Sequence, residues 1–286
     1  MGRISYEEKV EPMSSELFPP IPADTIKSAR AIFGRSNFYL AVGDQANCLF
    51  SGLHLISPAE NIEKEERRLA ILHLITIFQF IETLPDLLAL DAVRERVDWK
   101  YALHLPLRYP FREAASFCEF RKWLMEDRAR MINFQTLLAR LSEVTERNGA
   151  QRLSLAAEQV IGSVCRTSRL AKIWETMSQC LEALAIKRHD WLRVNSLPHW
   201  YDRYGPLSRD LNLRAECLEQ EAFAQGVGAD GHYLLEKIST SDIPELVALP
   251  EVESLRQIWA EQYEFTTGKL RWKKEACSRC SLSSIK

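Results

Sequence analysis

The chain has 286 residues, 46% hydrophobic and 27% charged, which excludes wholesale disorder and supplies enough apolar mass for one large core or two ordinary ones. Lys and Arg number 37 against 39 Asp and Glu, a formal charge of −2, so no global positive field draws the chain to nucleic acid or to lipid and any such contact needs a local patch. Only 11 Gly and 12 Pro are present, few for the tight turns of a β protein, and the chain is predicted to be mostly α.

Residues 1–22 are polar and end in Phe18-Pro19-Pro20-Ile21-Pro22, an extended lead-in with no apolar run of the secretory kind. Asp24 is expected to cap a helix over Thr25–Phe33, and residues 35–60 show no clear period. Glu63–Leu84 is the clearest helix, with Asn61 as its expected cap. Leu69, Ile71, Leu72, Leu74, Ile75, Ile77, Phe78 and Ile81 make it apolar nearly all round, the pattern of a buried helix. The apolar stretch from Leu69 to Ile81 is too short and too polar to span a bilayer.

Thr83-Leu84-Pro85-Asp86 breaks that helix. Asp86 is expected to cap the next, which runs to about Val97, and a third covers Asp98–Leu103. This is the layout of a helix-turn-helix, although by layout alone an ordinary αα-hairpin is the more frequent reading. In the third helix Trp99 and Leu103, four apart, are expected to share a buried face with Lys100 turned outward.

Further on, Ser116-Phe117-Cys118-Glu119 matches a capping box, Asn133–Arg147 reads as a helix stopped by Asn148-Gly149, and Leu155–Cys165 is ambiguous between helix and strand. Arg169–Ile186 is helical. Gly226-Val227-Gly228-Ala229-Asp230-Gly231 is expected to be a loop, and Leu246–Tyr263 an amphipathic helix interrupted at Pro250.

Chemistry-bearing motifs are sparse. Cys277-Ser278-Arg279-Cys280 lacks the second pair that a structural zinc site needs, and the six histidines show no metal-ligand spacing. Seven thinly spread cysteines do not form a disulfide framework and point to a reducing cytoplasm. No carboxylate pair is readable, so the residues alone assign no catalytic group and no metal ligand. The cations Arg94, Arg96 and Lys100 around the turn, with Arg121 and Lys122 beyond it, are the expected phosphate contacts of a DNA-binding surface. Interspersed Glu95, Glu119, Glu126 and Asp127 allow a plain solvated face instead.

The run Ala92-Val93-Arg94-Glu95-Arg96-Val97-Asp98-Trp99-Lys100-Tyr101-Ala102-Leu103, with Phe78-Gln79-Phe80-Ile81-Glu82-Thr83-Leu84-Pro85-Asp86 before it and Phe117-Cys118-Glu119-Phe120-Arg121 after it, resembles the InsH-type N-terminal domain of bacterial insertion-sequence transposases. Later segments are similar too: Arg169-Leu170-Ala171, Asp190-Trp191-Leu192, Trp200-Tyr201-Asp202-Arg203-Tyr204, Gly228-Ala229-Asp230-Gly231-His232-Tyr233, Leu249-Pro250-Glu251-Val252 and Leu270-Arg271-Trp272. The similarity spans roughly residues 22–272.

The resemblance implies a DNA cut-and-paste enzyme. Its RNase H-like core holds three acids and a divalent metal such as magnesium, and its helical N-terminal domain takes part in DNA binding and assembly. The family's first acid sits in a strand reading roughly Q-R-T-D-S-T-H-V, and here Ser154 or Ala156 falls at that place. Family members also continue beyond Trp272, whereas this chain stops at Lys286.

The division expected is therefore a lead-in over 1–22, an InsH-type helical domain over 23–150, a helical region over 151–272 around and after the place of the first acid, and a basic tail over 273–286. No complete RNase H-like core is expected. The expected function is that of a truncated, catalytically inactive transposase-like protein, without a cofactor of its own, binding the inverted-repeat ends of an element in the cytoplasm near the nucleoid. It is expected to pair with itself or with a full-length transposase and to have no membrane partner. Two rivals are a transposase subunit completed by frameshifting or by a partner chain, and a helical interaction module with no DNA role.

Overall fold

The computed structural model describes residues 16–34, 36–55, 62–111, 115–147, 157–205, 217–266 and 268–273. Among these residues fourteen helices and one two-stranded sheet form, so the chain is mostly α, and no complete RNase H-like core is present among them.

The N-terminal half comprises α1 (Ala23–Ile32), α2 (Phe38–Asp44), α3 (Ala46–Phe50), α4 (Ile62–Ile81), α5 (Asp86–Glu95), α6 (Val97–Ala102), α7 (Ala115–Glu126) and α8 (Arg128–Arg147). Then comes α9 (Ala157–Lys187), 31 residues long, followed by α10 (His189–Asn195), α11 (Trp200–Tyr204), α12 (Cys217–Ser239), α13 (Pro244–Val247) and α14 (Pro250–Gln262). Among the described residues the last elements form a hairpin of β1 (Tyr263–Thr266) and β2 (Lys269–Trp272), paired antiparallel with Tyr263 opposite Trp272 and Thr266 opposite Lys269. Gly268, at φ 74, takes the left-handed position that the tight turn requires.

The all-round apolar pattern of α4 means what it was expected to mean. Every residue from Leu69 to Gln79 is buried, and the helix runs through the centre of the N-terminal core. That core gathers residues from Phe18 to Cys165, and a second gathers residues from Leu170 to Trp272. The helix α9 belongs to both: Val160, Ile161, Val164 and Cys165 pack in the first, Leu170, Ile173, Met177, Cys180 and Leu184 in the second. The stretch whose pattern was ambiguous is thus helical from Ala157 on, and the cores part in mid-helix. The division expected at 150/151 falls outside the described residues, as do Asn61, Asn148-Gly149, Ser154, Ala156, Cys277 and Cys280.

Several local expectations are corrected. The glycine-rich segment 226–231 lies inside α12 and is no loop. Its glycines admit neighbours: a Cβ at Gly228 would overlap the Tyr263 ring, and one at Gly231 the Trp259 indole. In the space so left, Trp259 Nε1 donates to the Gly228 carbonyl at 2.9 Å and Tyr263 Oη to that of Ala224 at 2.7 Å. The helix cost of glycine is offset by this close approach of α14 and β1. Pro22 and Pro85, not Asp24 and Asp86, are the N-cap residues of α1 and α5. Cys48, Cys118 and Cys180 are free thiols. Among the described residues no single helix is long and apolar enough to cross a membrane.

Candidate nucleic-acid interface

The α4–α5–α6 unit is a tightly determined piece of structure. The axes of α4 and α5 turn through 114° at a four-residue break, within the range of helix-turn-helix units. The turn contains Thr83 at φ 54, a left-handed backbone that a β-branched residue adopts only under constraint. The neighbouring Glu82 is held by three donors. Its carboxylate accepts from the Tyr39 hydroxyl, from Trp99 Nε1 at 3.4 Å and from Arg96 Nη1 at 2.5 Å.

Arg96 also donates through Nε and Nη2 to the two oxygens of Asp98, at 3.1 and 2.7 Å, and lies 5.0 Å from the Tyr39 ring and 5.2 Å from that of Trp99. Burial opposes its charge, and the hydrogen bonds and attraction from Asp98 and Glu82 outweigh that and raise its pKa. Burial together with Glu82 pushes the Tyr39 phenol well above its ordinary value, so it stays a donor. Trp99 and Leu103 are both fully buried, as their spacing predicts.

The five expected phosphate contacts meet different fates. Lys100 is not turned outward. It is 4% exposed, because five of the six residues of α6 are buried, and its ammonium donates to the carbonyls of Arg94 and Leu107. Burial lowers its pKa, partly opposed by Glu95. Arg121 is 1% exposed and grips both oxygens of Asp86 at 2.8 Å, while Gln79 Nε2 donates to the same carboxylate at 2.6 Å. Burial works against this guanidinium too, and Asp86, with Cys118 adding a little, reverses the effect.

Arg96 is the half-buried staple just described, its side chain 33% exposed but its donors taken by Glu82 and Asp98. Arg94 and Lys122 keep a solvent face, with side chains 41% and 40% exposed. Arg94 lies 3.6 Å from Asp91 and donates through Nε to the Phe111 carbonyl, and Lys122 pairs with Glu175 of α9. Arg94 and Lys100 thereby clamp the segment after α6, which carries the exposed Arg108. Arg108, unremarked in the sequence, stands out only once that clamp is seen.

A second polar cluster lies in the C-terminal half. Asp230 of α12, 4% exposed, accepts from His199 Nε2 at 2.9 Å, from Tyr204 Oη at 2.8 Å and from Arg203. Trp174 Nε1 donates to the Arg203 carbonyl at 2.8 Å. The cluster seats α11 on α9 and α12. Arg203, Tyr204 and Asp230 occur in two of the transposase-like runs, but their meeting depends on the helical state of 217–239 that the glycines concealed. Among the described residues no group of three or more His, Cys, Asp or Glu is placed to hold a metal ion.

No family model, no curated protein and no solved structure matches the chain. The likeness to insertion-sequence transposases therefore rests on the sequence runs quoted above.

Proposed function

We propose that the chain is a transposase-like DNA-binding protein that engages element ends through its α4–α5–α6 unit, with no catalytic step of its own. The observation that carries this reading is the 114° turn between α4 and α5, with α6 packed behind it and Arg94 on the outer side of α5, inside the run most similar to the transposase domain. Phosphate contacts are assigned to the cations that keep a solvent face, Arg94, Arg108 and Lys122. Lys100, Arg121 and Arg96 serve by holding the unit together. The absence of an acid at Ser154 or Ala156 supports the non-catalytic part of the reading.

The test is fluorescence anisotropy with inverted-repeat DNA over a salt series, comparing the wild type with the triple variant R94A/R108A/K122A. Each phosphate-binding cation taken away is expected to lower the slope of log K against log salt by about 0.9. Binding that keeps both affinity and slope in the triple variant excludes the assigned surface.

A second reading, a helical interaction module, is favoured by one observation. The outer side of α5 also presents Leu87, Leu88, Asp91 and Glu95, with Leu88 52% exposed, a mixed surface better suited to a protein helix than to a phosphate backbone. Absence of salt-dependent DNA binding by the wild type selects that reading.

A further inference from the structure

His73, on α4, is 1% exposed. Its Nδ1 donates to the Leu69 carbonyl at 2.7 Å, which fixes the proton on that nitrogen and leaves the Nε2 lone pair facing inward. Nε2 is buried and has no partner, and Thr76 Oγ1, on the next turn of the same helix, is also buried and unpartnered. The imidazole is walled by Phe50 of α3, Phe120 and Trp123 of α7 and Phe134 of α8, with ring centroids 4.8–6.3 Å away.

Several charged groups of the surrounding helices have partners of their own. Arg121 is on Asp86, Lys122 on Glu175, and Arg130 stacks over Trp123 at 4.3 Å with Glu126 and Asp127 beside it. On α4 itself Glu65 is paired with Arg68. Among the described residues no carboxylate is hydrogen-bonded to the ring to receive an imidazolium.

We infer that His73 is an acid-sensitive latch: a second proton, on Nε2, places an uncompensated charge at the joint of α3, α4, α7 and α8 and opens the N-terminal core there, while the C-terminal core stays packed. Among the described residues the C-terminal core buries no histidine; His189, His199 and His232 are all exposed. The other buried histidine, His104, has both ring nitrogens on carbonyl oxygens, those of Pro19 at 2.5 Å and Gly43 at 2.9 Å, so neither of them lacks a partner as Nε2 of His73 does. In accord with the geometry, burial pushes the His73 imidazole down to about 4 from the ordinary 6.5, the Leu69 bond only partly opposing. The unfolded chain then binds the proton first. The contribution is complete above pH 6.5 and is lost as pH falls towards 4, by up to about tenfold in the folded-to-unfolded ratio per pH unit.

Amide hydrogen exchange of the full chain at pH 7 and pH 5, corrected for the intrinsic rates, tests this. Protection in α4, α7 and α8 is expected to fall at pH 5 relative to that in α12 and α14. H73N, which keeps a donor for Leu69, and H73L, which is apolar, are expected to abolish that selective loss whatever their stability at pH 7. A folded variant that retains the wild-type pattern, or a wild type whose two halves lose protection together, overturns the latch. If neither variant folds, the imidazole resonances of native His73 decide: titration near 4 upholds it, and titration at or above 6.5 refutes it.

Discussion

Arg121 shows what burial does to a charged residue chosen from sequence alone. By charge and position it is a phosphate ligand, and in the structure it is one of the largest fully buried side chains, locked in a two-pronged pair with Asp86. Removing one partner leaves the other charge buried and uncompensated, so Arg121→Ala and Asp86→Ala are each expected to cost about 3–5 kcal/mol. The double variant R121M/D86L, which removes both charges and keeps volume, is expected to cost far less than the sum. Chemical denaturation of the four proteins measures this, and additive losses would show that the pair is not coupled. The same cycle separates structural from DNA-facing cations, because any loss of DNA affinity in Arg121→Ala should follow unfolding. Lys100 belongs to the same class. Nothing in Asp98-Trp99-Lys100-Tyr101 says that the helix is so short and so enclosed that even its lysine points at carbonyls.

At the scale of elements, the helix α12 was the least legible. Three glycines within six residues are the ordinary mark of a loop, and only the partner shows why they stand in a helix. The indole of Trp259 and the ring of Tyr263 need the space, and they return hydrogen bonds to the carbonyls of Gly228 and Ala224. Gly231→Ala should therefore destabilise by about 1–3 kcal/mol, although Ala is the better helix former, because the added methyl overlaps the Trp259 ring. Gly162→Ala in α9, where nothing lies within 4 Å of the added carbon, should stabilise by about 0.5–1 kcal/mol. Thermal melts of the two variants are expected to shift in opposite directions, and a rise for Gly231→Ala would show that the close approach is not a constraint. The α4–α5 break, by contrast, was legible, since a proline followed by a fresh apolar pattern marks it whatever the helices pack against.

For the whole molecule the governing feature is α9, which lends its first half to one core and its second half to the other. Arg169 extends the coupling on the C-terminal side, donating to Gln262 at 2.7 Å and to the Lys273 carbonyl at 2.8 Å. Lys122–Glu175 ties α7 to the part of α9 that belongs to the second core. A proline at Ser168, between the two sets of apolar residues, removes a helical hydrogen bond and is expected to cost about 3 kcal/mol or more. Its more informative effect is on cooperativity. Hydrogen exchange of Ser168→Pro should show the two cores opening with separate free energies, more widely spaced than in the wild type. Unchanged spacing would mean that the cores communicate by another route.

The sequence by itself determined which segments are helical where periodicity is strong, that α4 is central, and that Trp99 and Leu103 face inward, because hydrophobic spacing reports a face regardless of what that face meets. Only the tertiary structure decided that the cores divide inside one helix, that 226–231 is helical, and that two of five expected phosphate ligands, Lys100 and Arg121, are buried while a third, Arg96, is held by Glu82 and Asp98. It also brought Asp230 together with His199, Arg203 and Tyr204, residues 26–31 positions away in the chain. The physical reason is the same in each case. A buried charge or a helical glycine is stable only through a specific partner, and the partner is set by packing between elements far apart in sequence, which no local pattern records.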